Sequence, residues 1–146
     1  MVDQVTLYRA PTTNADADDI ADWLDERVDA SVSVRERFLK HYRDAKLPEA
    51  IAETRVESPY EHETGNTMTG VVRYEERALD HPEREGGVLY DGLGLQRRLG
   101  ALIPDQESCL DHAHVALLDR AVGTWGDHDG RWHKRVKVLG PPALVS

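Results

Sequence analysis

The chain has one cysteine, one phenylalanine, two methionines and few lysines, and each shortage excludes something. Cys109 is alone, so no disulfide closes within the chain, and without a CxxC pair no cysteine zinc knuckle can be built. No apolar run approaches the roughly 18 to 20 residues that span a bilayer, and no basic and apolar leader segment opens the chain. The expectation is a cytoplasmic protein with no membrane partner. No G-x-S-x-G, no H-E-x-x-H and no other complete zincin motif occurs in the sequence, which removes the usual signatures of serine and zinc hydrolases.

Basic residues are also outnumbered. Twenty-seven acids against eighteen bases give a net charge of −9 at pH 7, which repels phosphates and predicts no nucleic-acid partner. Only Lys40, Lys46, Lys134 and Lys137 are lysines; the other basic residues are arginines. An acidic, lysine-poor chain with little Phe has the composition of proteins from salt-accumulating archaea. In molar salt the Debye length is about 3 Å, so repulsion among the carboxylates is largely screened. The charge therefore reads as a halophilic surface and not as a binding face.

With 146 residues, 40% of them apolar, the chain is sized for one domain over residues 1–146 with a core around one sheet. "VTLYRA" (5–10) reads as a strand ended by Pro11. Thr13 and Asp16 resemble a capping box opening a helix whose Ile20, Trp23, Leu24 and Val28 make an apolar stripe, with Trp23 in the core. "SVSVRER" alternates as a second strand; Phe38, Leu39 and Tyr42 fit a short helix, and Pro48 opens another. Residues 57–70 lack any period and read as a loop that is functional or mobile. "VVRYEERAL" is helical, 88–90 is a short strand or the start of a helix running to Leu102, "HVALLDR" is a buried strand, "GTWGDHDG" a turn, and "RWHKRVKVLG" and "PALVS" are strands. The fold class is α/β: a mixed, mostly parallel twisted sheet covered by helices, with an antiparallel edge strand near the C-terminus.

Candidate chemistry concentrates in 111–140, which holds four of the seven histidines. His112 and His114 leave the same face of a strand and supply half of a metal site, zinc being the ion that suits imidazole. Asp119, His128 and His133 are the residues available to complete it. His128 between Asp127 and Asp129 is also a candidate acid or base, its pKa raised by the two carboxylates. The plainer reading of the whole segment is strand, polar turn and strand. Glu61-His62-Glu63 is a second polar concentration, of a kind an acidic chain produces by chance. Gly92-Leu93-Gly94 lacks the third glycine of a dinucleotide loop and reads as a tight turn or a packing device.

Three stretches carry a family resemblance: "VTLYRAPTT", "SPYEHETGNTMTGVVRYEERALDHPEREGGVLYDGL" and "HVALLDRAVGTWGDHDGRWHKRVKVLGPPALVS". Together they resemble haloarchaeal members of an uncharacterised archaeal family labelled as metallopeptidases, and more distantly the archaemetzincins. The resemblance implies a metzincin-like twisted mixed sheet in which "HVALLDR" is a strand and "PALVS" the antiparallel edge strand flanking a substrate cleft. In that family pattern a helix bearing the zinc histidines and a glutamate base comes next, whereas here the chain stops at Ser146. No residue matches the zinc-ligand motif, so no catalytic residue is carried over. The implied protein is a C-terminally incomplete relative, or one that shares the fold without the peptidase chemistry. The competing expectation is a noncatalytic module that binds a protein partner or itself, because a last strand with no covering helix leaves an open edge.

Overall fold

Val5 and Leu7 anchor β1 (Gln4–Tyr8) between two parallel neighbours, β2 (Ser31–Arg35) and β4 (His112–Leu117). The computed structural model describes residues 1–11, 15–84 and 86–146. Beyond β4 the sheet continues with β8 (Ala143–Val145), parallel to it, and ends at β7 (Lys137–Val138), antiparallel to β8, giving the order β2-β1-β4-β8-β7. A second sheet of three strands has the order β3-β5-β6, with β3 (Leu89–Asp91) parallel to β5 (Ala121–Gly126) and β6 (Arg131–Arg135) antiparallel to it. The α/β class with a mostly parallel main sheet holds, and the antiparallel edge strand lies near the C-terminus. That edge is β7, however. "PALVS" is an inner strand, because β8 pairs on both sides.

Helices α1 (Ala17–Asp25), α2 (Phe38–His41), α3 (Leu47–Ala52), α4 (Thr69–Asp80) and α5 (Gly92–Gly100) fill the connections. Asp16 caps α1: its Oδ1 accepts from the backbone N–H of Asp18 and Asp19 at 2.9 and 3.3 Å. The expected Thr13 half of a capping box lies outside the described residues. Trp23 is 56% exposed, not core, and lies beneath the Arg27 guanidinium, whose carbon is 4.2 Å from the ring centroid. Helix α5 touches β3 and β5 of the small sheet and β7 and β8 of the large one. Close packing at its start explains Gly92: a Cβ there would meet the Val138 side chain at 2.7 Å and the Gly123 carbonyl at 3.1 Å. The G-x-G is thus a packing device.

The main core gathers Tyr8, Phe38, Ile51, Tyr90, Leu95 and Leu144, all at most 1% exposed. One ionic group enters it. Glu75 of α4 and Arg120, just past β4, are 0% and 2% exposed, with Arg120 Nη1 donating to Glu75 Oε1 at 2.7 Å. The Tyr90 hydroxyl of β3 donates to Glu75 Oε2 at 2.7 Å and receives Arg120 Nη1 at 2.8 Å.

"GTWGDHDG" is the other correction. Its first half belongs to β5, flanked on both sides by strands, and the turn is confined to 127–130. Glycine suggests a turn from sequence, but Gly123 is needed for close strand approach, since a Cβ there would lie 2.9 Å from the His133 carbonyl oxygen.

Removing one partner of a buried ion pair strands the other charge without water. Arg120→Ala is therefore expected to lower the unfolding free energy by about 3–5 kcal/mol, read from urea unfolding at fixed salt. Arg43→Ala, which breaks only the exposed Arg43–Asp80 pair, should leave the midpoint nearly unchanged.

Candidate functional site

Parallel pairing sets residues of neighbouring strands side by side. The register Thr6↔His114 and Tyr8↔Ala116, with Thr6↔Ser33 and Tyr8↔Arg35 on the other flank, puts Thr6, Tyr8, Ser33, Arg35, His112 and His114 on one face of the sheet. This face carries a polar network inside the protein. His114 Nε2 lies 2.8 Å from the Glu107 carbonyl oxygen, which only accepts, so Nε2 bears the proton. Its Nδ1 lies 2.8 Å from the Tyr8 hydroxyl, whose one proton it shares with the Tyr42 hydroxyl 3.2 Å away. Both ring nitrogens of His114 are thereby engaged, and the residue is 2% exposed.

The network extends outward. Arg35 Nη1 donates to the Tyr8 and Tyr42 hydroxyls at 3.2 and 2.7 Å, and its Nη2 pairs with Glu107 Oε1 at 2.5 Å. Tyr42 donates to Glu107 Oε2 at 3.2 Å. Burial raises the Tyr8 phenol far above its ordinary value, with the Tyr42 hydrogen bond adding to the rise. Burial also works to raise the Glu107 carboxyl, but the Arg35 hydrogen bond and charge outweigh it and hold the group below its usual value.

His112 stacks on His114 with ring centroids 4.1 Å apart, and its Nε2 is 2.7 Å from Thr6 Oγ1. Burial, then the charges of His114 and Arg35, lower its pKa, which favours the neutral imidazole. Beside the two histidines lies a cleft of about 570 Å³, bordered also by Arg97 of α5, Ser108, Cys109, Leu110 and Pro141. Cys109 is exposed, and the Asp111 carboxylate, accepting a hydrogen bond from its thiol, pushes that thiol up. It is not an activated nucleophile.

The other three expected metal residues lie elsewhere. Asp119 follows β4, with its Oδ2 buried and, among the described residues, without a hydrogen-bond partner. His128 lies in the β5–β6 hairpin turn and His133 in β6, the two rings stacked with centroids 6.2 Å apart. Asp129 Oδ2 sits 2.7 Å from His133 Nε2 and 3.8 Å from His128 Nε2, and also pairs with Arg131. The five therefore fall in three places, two of them on different sheets. Among the described residues no group of three or more His, Cys, Asp or Glu is arranged to hold a metal ion.

The loop expected over 57–70 gives way to α4 at Thr69 and is held down: Trp132 Nε1 donates to the Glu61 carbonyl at 2.7 Å, and His62 stacks on Trp125 with centroids 4.8 Å apart. Glu61-His62-Glu63 is accordingly part of a loop clasp on the small sheet. Sequence reasoning found the two strand histidines but missed Tyr8, Tyr42, Arg35 and Glu107. The alternation of β1 and β2 carried a faint signal for the first and third of these.

A family model matches residues 6–146. The chain belongs to the DUF7001 family. DUF7001 is described as a family of unknown function, so membership adds breadth to the match without adding an activity. No curated protein matches the chain, and no solved structure does. No helix among the described residues is long and apolar enough to cross a membrane.

Acid should weaken this DUF7001 fold in two stages. The unfolded chain protonates His112 near the ordinary value of 6.5 while the folded chain resists. Its contribution is thus present above that value and lost as pH falls through the lower folded value. Glu107, also lowered on folding, contributes above the unfolded carboxylate range and is lost as pH falls through its folded value. Urea midpoints should decline on acidification from neutrality. His112→Gln should flatten the upper stage and Glu107→Gln the lower; a midpoint constant across both stages would contradict the assignment.

Proposed function

We propose that this chain is a noncatalytic binding module of metallopeptidase-like descent, working in the cytoplasm of a salt-accumulating archaeon and receiving a small ligand in the cleft beside His112. The observation that carries this reading is the full engagement of His114, whose nitrogens face the Tyr8 hydroxyl and the Glu107 carbonyl at 2.8 Å each. A zinc ligand needs a free ring lone pair. Here Nδ1 is in hydrogen-bond contact with the Tyr8 hydroxyl and Nε2 donates to the Glu107 carbonyl, so His114 serves as a fixed wall. His112, bonded to Thr6, stands beside it at the cleft of about 570 Å³, a size suited to small ligands. The net charge of −9 speaks against a nucleic-acid partner.

A zinc-dependent hydrolase remains the reading that rests on family resemblance. It would require His112, His114, Asp119, His128 and His133, or a subset of them, to leave their present partners and converge. A protein-binding or self-associating module is favoured by a different observation: Val136 and Leu139, each 72% exposed, flank the two-residue edge strand β7.

Metal analysis separates the first two readings. Tag-free protein incubated with Zn²⁺ and desalted should retain well below one equivalent. Stoichiometric zinc, lost in His112→Ala and His114→Ala, would overturn the binding-module reading. Light scattering in molar salt addresses the third, which requires a concentration-dependent oligomer sensitive to Val136→Glu or a partner captured through that edge.

A further inference from the structure

Charge is distributed unevenly around the cleft. Twenty-seven of the 146 residues are acidic, yet none of the ten residues lining the cleft is Asp or Glu, and one is Arg97. Arg97 is exposed and has no acidic partner among the described residues. The contrast with its neighbour is informative: Arg98, one position along α5, pairs with Glu53 at 3.0 Å. Glu107, next to the lining residue Ser108 in sequence, is already neutralised by Arg35. Asp111 accepts from the Cys109 thiol. Among the described residues Arg97 is thus a guanidinium without an acidic partner, at a cleft whose flanking carboxylates, Glu107 and Asp111, are already engaged elsewhere.

The rest of the lining is of two kinds. Ile103, Leu110 and Pro141 supply apolar surface, with Leu110 wholly exposed. Ser108 and His112 supply hydrogen-bonding groups; His112 engages Thr6 through Nε2, and no bond to its Nδ1 occurs among the described residues. The wall formed by the turn after β7 is fixed by Gln96 Nε2, which donates to the Leu139 carbonyl at 2.7 Å and the Pro142 carbonyl at 3.2 Å.

Resting on the binding-module reading above, we infer that the cleft takes a singly charged organic acid with an apolar body. Its carboxylate meets the Arg97 guanidinium in a charge-assisted pair, and its apolar part covers Leu110, Ile103 and Pro141. The hydroxyl of Ser108 and the imidazole of His112 are the polar groups positioned to orient it. The shared chemistry is a carboxylate beside an apolar group, which a free small acid or the C-terminus of a peptide can supply.

The test is calorimetric titration with phenylacetate and phenylacetamide, at the lowest salt in which the chain stays folded. Phenylacetate should bind at least about tenfold more tightly than the amide, and Arg97→Gln should remove about ten- to hundredfold of its affinity while leaving the amide unchanged. Arg97 and Ser108 are both exposed, so Arg97→Gln and a cleft-filling Ser108→Trp should fold; the latter should abolish both interactions. Equal binding of acid and amide, or acid binding untouched by Arg97→Gln, overturns the anion assignment while the binding-module reading stands. Failure of both probes and of a set of neutral fragments overturns that reading as well. Acetyl-Gly-Phe with a free C-terminus, compared with its amide, identifies the source: a peptide acid preferred over phenylacetate points to a chain terminus, and the reverse to a free metabolite-sized acid.

Discussion

Everything in this fold is arranged around a carboxylate and a guanidinium that water does not reach. Isolated, either Glu75 or Arg120 would cost several kcal/mol to bury. Paired, and with the Tyr90 hydroxyl bonded to both, they become a fixed joint. The joint sits where the chain leaves β4 of the large sheet for β5 of the small one, and it takes one partner from α4, one from β3 and one from the link itself. A seam between two sheets closed only by apolar side chains could slide. One closed by directional bonds has a single register.

That joint holds the far end of β4, and the near end is held by backbone bonds from the Asp3 and Gln4 N–H groups to the Asp111 carbonyl. Between the two anchors, β4 carries His112 and His114 diagonally opposite Thr6 and Tyr8, each histidine one pair out of register with its hydroxyl. Imidazole is a poor core residue unless its nitrogens are matched, and here the parallel register supplies a hydroxyl at each position. The same two hydroxyl-bearing residues that make β1 an imperfect hydrophobic strand are what allow the histidines to be buried. The polar face is a consequence of register, and the cleft beside it inherits a wall whose imidazoles are held by hydrogen bonds.

How much of this was legible follows from the range of each interaction. The period-two spacing of His112 and His114 announced a shared face, because side-chain alternation is a local property of a strand. Their partners lie 106 residues away in the chain, and no local pattern encodes which strand pairs with which. Glu75 was invisible for a different reason: it is one acid among twenty-seven, and only tertiary packing against Arg120 distinguishes it from a solvated neighbour. Trp23 failed in the opposite direction. An apolar stripe predicts burial only if something covers it, and Trp23, still 56% exposed, meets only the Arg27 guanidinium over its ring. The glycines of β5 read as a turn because sequence cannot tell a residue that must bend from one that must let a neighbouring backbone approach.

The acidic composition and the acid-free cleft belong to one argument. In molar salt an interaction reaching beyond about 3 Å is screened, so a surface crowded with carboxylates neither repels an organic anion from afar nor steers one in. Only groups in contact with a ligand still discriminate by charge. A site for an anion on such a protein therefore needs no basic field around it; it needs carboxylates excluded from the contact shell and one cation left without an internal partner. Among the described residues Arg97 meets the second condition while its neighbour Arg98 does not, and the cleft lining meets the first.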